Sequence, residues 1–361
     1  MDNWPTSLDN FTDVWVLDFE FRCLDGALPE PRCMVARSFR TGKTLRLWLL
    51  ETRHPCPFQP TDLLVAYYAS AEVGCFLALG WQLPPHLLDL FPEFKNYMKG
   101  RRPFQGHSLL GAASQFSIKS TTTTEAKDEF RALAQKDSFT DSERCQLLEY
   151  CEQDVETTLK LLHSMRSLIP SLPQSLIRGR YMAAAASVER LGIPIDTESL
   201  GLLKENWGSI KQDLIRAVDA DFGVYEEGVF KSTLWLDYCY RNAIAWPLLE
   251  SGKPDLKDET FRQMAKLHPR INPIKELRAT LDQMKLNDLR VGPDGRNRYL
   301  LSAFGSITGR NQPSNTKAIF GTATWLRHLI KPADGMALAY IDYEQQEFGI
   351  AAALSLSLIH I

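Results

Sequence analysis

The sequence predicts an α/β domain built on a mixed sheet, followed by a mostly helical region and then the opening of an α+β unit. Three observations carry this reading. Within residues 1–169, short apolar runs rich in β-forming residues come first and helical patterns follow, the order expected of a sheet covered by helices. The segment PSLP at 170–173 punctuates the chain, and the patterns from there to 290 are helical. The turn GPDG at 292–295 then opens a stretch rich in Ser, Thr, Asn and Gly. The expected units are therefore 1–169, 170–290 and 291–361.

In the first unit, residues 14–18 (VWVLD) form a short buried-strand pattern. Residues 33–39 and 45–50 read as a hairpin around the Thr41-Gly42 turn, and 63–67 as a further strand. Helical periodicity covers 72–80 and 142–165, and the four threonines at 121–124 read as a loop. In the second unit a helix over 176–191 stops at Gly192, and 197–222 is one long amphipathic stretch.

A chain of 361 residues has room for two or three domains with their own cores. Its formal net charge of −3 decides nothing about nucleic acid, because phosphate binding depends on where cations cluster. The seven cysteines include no CxxC pair, and residues 1–10 are polar and acidic with no leader pattern. A reducing cytoplasm and structural thiols are the expectation, and no apolar run is long enough to span a membrane.

The residues that carry chemistry come in two groups. Asp18 and Glu20 stand two apart in VLDFEF, so a strand would point both to one face. Tyr150 and Asp154 stand four apart in YCEQDVETT, which stacks them on one face of a helix. Between them Glu72 sits in LLVAYYASAEVGCF, in the first turn of a helix that follows a strand. Alone, each is ordinary: an Asp at a strand end is commonly a cap, and an acid in a first helical turn suits the dipole.

Together, DxE on an early strand and YxxxD on a late helix resemble the tyrosine-bearing DEDD 3′-5′ exonucleases found beside family-A DNA polymerases. That resemblance implies a ribonuclease H-like sheet and two Mg²⁺ (or Mn²⁺) ions. Asp18 would bridge the ions, Glu20, Glu72 and Asp154 would complete their shell, and Tyr150 would orient the attacking water. Such ions, ~3.5–4 Å apart, stabilise both the attacking and the leaving oxygen of a phosphodiester. Glu72 departs from the family's aspartate by one methylene, which bears on rate and metal preference.

The second group lies near the end of the sequence. GSITGRNQPS at 305–314 and AYIDYEQQEFGIAAALS at 339–355 resemble the T-G-R and D-Y-S-Q-I-E-L-R motifs of family-A polymerases. Asp342 is then a metal ligand at the end of a palm strand over 337–342, Glu347 lies near the incoming sugar, and LGIPID at 191–196 enters the thumb. From Gly295 to Ala333 there is no Asp or Glu, while Arg296, Arg298, Arg310, Lys317, Arg327 and Lys331 occur among hydroxyl and amide side chains, a composition suited to phosphate and sugar. Arg310, Arg327 and Lys331 are the expected DNA or nucleotide contacts.

The partners implied are a single-stranded DNA 3′ end and primer-template, with nucleoside triphosphate serving only a longer parent. A nucleotide-binding helix and a second catalytic carboxylate would follow the D-Y-x-Q motif but do not occur before Ile361, and residues 356–361 read as a non-native tail. The expected activity is metal-dependent hydrolysis of DNA 3′ ends of the proofreading type. The alternatives are a catalytically impaired DNA-binding fragment, and an RNA-trimming exonuclease of the same superfamily.

Overall fold

Strand β1 (Val14–Arg22) sorts its side chains by parity. Val14 and Val16 enter one core, and Trp15, Leu17 and Phe19 enter another on the opposite face. A strand buried on both faces needs helices on both, which is what the rest of this half provides. The computed structural model describes residues 7–52, 54–119, 124–283, 289–313, 316–321 and 324–356.

β2 (Glu30–Ser38) and β3 (Thr44–Trp48) complete the expected hairpin side, each antiparallel to its neighbour. β4 (Leu63–Ala66) and β5 (Leu87–Asp89) run parallel to β1 on its other side. The sheet order is β3-β2-β1-β4-β5, a mixed sheet as the strand-then-helix order predicts. Helix α1 (Ser70–Leu79) crosses from β4 to β5 and ends at Gly80 in the left-handed conformation, which glycine adopts without steric cost.

Helices α2 (Leu90–Met98), α3 (Leu109–Gln115) and α4 (Thr124–Ala134) lead into α5 (Asp141–Met165). Thr140 and Glu143 close a capping box at the start of α5, which fixes where this long helix begins. Its Leu147, Cys151, Val155 and Leu162 join Val14, Val16, Cys33 and Val35 in one core. Helix α6 (Leu172–Leu191) covers the other face and crosses β5 at Gly179, where an added Cβ would stand 1.8 Å from the Leu87 carbonyl oxygen. It begins earlier than the periodicity implies, because Pro173 fits the first helical turn.

The single amphipathic stretch expected over 197–222 is two helices, α7 (Thr197–Glu205) and α8 (Trp207–Asp219). The break is at Asn206, whose backbone leaves helical geometry at φ −93° and ψ 4° while its side-chain amide and backbone N–H both donate to the Leu202 carbonyl. Between α6 and α7, β6 (Ile193–Pro194) is a short strand. After α8, the hairpin β7 (Tyr225–Glu226) and β8 (Val229–Phe230) packs with α9 (Ser232–Arg241), α10 (Asp258–Leu267) and α11 (Asn272–Gln283) around buried Trp235.

β9 (Arg296–Asn297) pairs antiparallel with β6. Around this pair Ile195 and Leu200 form a small core with Leu289, Ile319, Leu326 and Leu329, joining residues on both sides of position 290. Ala303, by contrast, enters the core beneath α6. Helix α12 (Gln346–Leu354) follows the D-Y-x-Q motif as expected. The strand expected over 337–342 is not formed, and residues 333–350 are all exposed. A strand is held by a neighbour's hydrogen bonds, and among the described residues none pairs with this segment. The threonines at 121–123 and the tail positions 357–361 lie outside the described residues, while Thr124 opens α4 rather than closing a loop. No described helix is long and apolar enough to cross a membrane.

Candidate functional site

β1 carries Asp18 and Glu20 on the same parity as Val14 and Val16, so both carboxylates lie on the sheet face that α5 covers. Both are half-buried. The register with β2 shifts between Glu20 and Phe21, and such a bulge re-aims side chains at a strand end. From α5, the Cys151 thiol donates to the Asp18 carbonyl at 3.2 Å and lies 3.5 Å from Asp18 Oδ2.

One position back on α5, the Tyr150 hydroxyl donates to Asp154 Oδ2 at 3.3 Å. Phe130 of α4 stacks on the Tyr150 ring with centroids 4.5 Å apart. Burial first, then the charges of Asp154, Glu20 and Asp18, push the Tyr150 phenol well above its ordinary range. Tyr150 therefore keeps its proton and acts as a donor to this group of acids.

Glu72 lies in the first turn of α1 and is buried, and its Oε2 has no hydrogen-bond partner. Burial raises its pKa most, Asp18 next, with Asp89 and Asp154 adding to the shift and the helix amide opposing it. The four acids and the tyrosine singled out in the sequence thus share one electrostatic environment. Among the described residues, no three His, Cys, Asp or Glu side chains lie close enough together to hold a metal ion. The donors do fit a hard divalent cation in kind, being carboxylate oxygens, and the bare Glu72 oxygen is a buried acceptor of the sort a cation satisfies.

The second group is arranged differently. Arg310 Nη2 and Glu347 Oε1 form an ion pair at 2.5 Å, both side chains being exposed. Arg327 donates to the Phe320 carbonyl at 3.1 Å and lies over the Phe320 ring. Lys331 reaches Asp196 at 3.5 Å. Asp342 is exposed, and its Oδ1 accepts the Tyr343 amide. Arg296 and Arg298 do not face outward for phosphate: Arg296 donates to the Leu191 and Gly192 carbonyls, and Arg298 is buried against Asp294, Gly26 and Arg190.

A cleft of about 430 Å³ opens where α2 meets the 304–309 loop, and among the residues that line it are Lys95, Lys99, Arg101, Arg102, Ser306 and Thr308. None of the described lining residues is acidic. Lys95 is occupied by the carbonyls of Phe304, Gly305 and Ser306, but Lys99, Arg101 and Arg102 make no ion pair among the described residues. Phe104, beside them in sequence, is 99% exposed. The sequence signal is KGRRPF at 99–104, a cation run closed by an aromatic ring that belongs to neither motif group.

No protein-family model and no curated protein matches the sequence. Among solved structures, the POL domain of Pol1 from M. smegmatis, in complex with DNA primer-template and dNTP, superposes with a TM-score of 0.59 at 14% identity over 95% of this chain. The chain shares the fold of that POL domain over the part it covers. It spans 59% of the length of that structure. Within this shared fold, Asp18 and Glu20 lie on the five-stranded sheet, and Arg310 and Glu347 lie in the segment after β9.

Proposed function

We propose that the chain is a 3′-5′ exonuclease acting on DNA 3′ ends, carried on a family-A polymerase scaffold. The observation that carries this reading is the convergence of Asp18 and Glu20 from β1, Glu72 from α1, and Tyr150 and Asp154 from α5 on one environment, in which Asp18 and Asp154 add to the raised proton affinity of buried Glu72, and Asp154, Glu20 and Asp18 to that of buried Tyr150. Acids that repel one another in this way favour the arrival of positive charge. Asp18, Glu20, Glu72 and Asp154 are the residues that would hold two Mg²⁺ or Mn²⁺ ions. When bound, such ions supply an activated water and neutralise charge on the leaving oxygen.

Tyr150, held protonated and braced by Phe130, donates its hydrogen bond to Asp154 and presents its phenolic oxygen as the acceptor that orients the attacking water. Cys151 ties α5 to the middle of β1 through the Asp18 carbonyl. Lys99, Arg101 and Arg102, with exposed Phe104, suit the backbone and bases of a single strand. Arg310, Arg327, Lys331 and Glu347 are proposed as contacts to primer-template or nucleotide, and Asp342 as a metal ligand of nucleotidyl transfer in a longer parent.

The test is a 5′-labelled oligonucleotide incubated with the chain and Mg²⁺ or Mn²⁺. Stepwise shortening from the 3′ end, abolished by Asp18→Ala, is expected. A strand left intact at high protein concentration with Mn²⁺ would reject hydrolysis. It would then favour the second reading, a DNA-binding scaffold without activity, which the lack of a closed ligand cluster among the described residues supports.

A further inference from the structure

Where β1 ends, the chain enters a loop over residues 22–29, and this loop is held by a turn that lies 270 positions away in sequence, on the order of three-quarters of the chain. Arg290 Nη1 pairs with Asp25 Oδ1 at 2.7 Å. Arg298, buried and locked by a two-pronged pair to Asp294, donates to the Gly26 carbonyl at 3.1 Å. Gly26, at φ +76°, packs so closely on the turn that a Cβ there would lie 2.6 Å from the Gly292 nitrogen.

The turn is tied in its other direction to the acid-free basic segment. Asn297, fully buried, donates to the carbonyls of Arg290 and Lys317 and accepts the Ile319 amide. Hydrogen bonds therefore tie 317–319 to Asn297, and its chain neighbour Arg298 to Gly26, while the covalent chain leads from the 22–29 loop back into β1 and Glu20. Two sites are coupled where both bias an element that has two arrangements, and the 22–29 loop is the element placed between them. A cavity of about 280 Å³ lies beneath it, lined by Phe21, Leu24, Gly74 and Tyr299 among others, which leaves the loop space to shift.

We propose that the 290–298 turn is a latch through which DNA held on the basic segment positions the 22–29 loop at the mouth of the carboxylate site, with Arg290 and Arg298 as positioning residues. This rests on the exonuclease reading for its consequence but not for its test. Amide hydrogen exchange is measured on the full chain with and without a primer-template duplex, for wild type, Asp25→Arg, Arg290→Asp and the double charge swap. The Asp25–Arg290 pair is chosen because it is partly exposed, so its loss leaves the fold intact.

Added duplex should slow exchange across 22–29 about threefold in wild type and in the double swap, and not in either single variant, a change of the size one exposed ion pair supplies. No response in wild type, an unchanged response in either single variant, or no recovery in the swap would overturn the latch. In parallel, each single variant should raise KM for a recessed 3′ end about threefold and leave kcat on a trinucleotide unchanged. If wild type cleaves neither substrate, the exonuclease reading fails, and the exchange measurement still decides the latch.

Discussion

Tyr150 and Asp154 are joined by a 3.3 Å hydrogen bond across one turn of α5, with both side chains buried. The bond sets the direction of the phenolic proton, and burial, with the charges of the surrounding acids, keeps that proton in place. Tyr150→Phe should retain the stack on Phe130 and lose about 1 kcal/mol of stability. Hydrolysis should fall about a hundredfold, while divalent-metal binding followed by calorimetry stays close to wild type. A variant with full activity would remove Tyr150 from the site.

Glu72 tests the middle carboxylate position. Glu72→Asp should retain or raise exonuclease activity, because the charge stays and the arm shortens. Glu72→Gln should be severely impaired, since an amide cannot replace a carboxylate beside a cation. Equal rates for Glu72→Gln and wild type in a primer-degradation assay would exclude Glu72 from the ligand set.

Glu189 should impose a pH dependence on stability. Burial raises its pKa from 4.5 to about 7, against the opposing hydrogen bond from the Leu301 amide. A carboxyl with a raised folded-state pKa favours folding fully below its unfolded value, and that contribution is lost as pH rises through the folded value. The melting temperature should therefore drop between pH 4.5 and 7 in wild type, and Glu189→Gln should flatten this decline. Parallel profiles for the two proteins would show that Glu189 titrates normally.

The packing of α6 on β5 depends on Gly179. An Ala there would put its Cβ 1.8 Å from the Leu87 carbonyl oxygen, so helix and strand would have to separate. Gly179→Ala should cost about 1–3 kcal/mol or more in urea unfolding, whereas Gly201→Ala, with open space around its Cβ position, should cost nothing or stabilise α7.

The cleft beside α2 should contribute to DNA affinity electrostatically. Each of Lys99, Arg101 and Arg102 that binds a phosphate should, on replacement by Ala, lower the slope of log K against log salt by about 0.7 for a single strand. Fluorescence anisotropy over a salt series would measure it, and an unchanged slope in the triple variant would place the strand elsewhere.

Local pattern determined a good deal of this protein. The parity of VWVLDFE put Asp18 and Glu20 on one face, the four-residue spacing put Tyr150 and Asp154 on one helix face, and the strand-then-helix order indicated a mixed sheet. These are consequences of backbone periodicity, which any short window contains. The break at Asn206 was not legible, because one residue leaving helical backbone geometry leaves no mark on hydrophobic period. Nor was the fate of Arg296 and Arg298, whose composition suggested phosphate while the fold brought Arg296 to the Leu191 and Gly192 carbonyls and buried Arg298 against Asp294. That the charge of Asp18 reaches Glu72, that residues 99–102 line one cleft with the 304–309 loop, and that Gly26 meets Gly292 were decided by tertiary structure alone. Each depends on residues far apart in the chain, and only the packing of the sheet, α6 and the 290–298 turn brings them together.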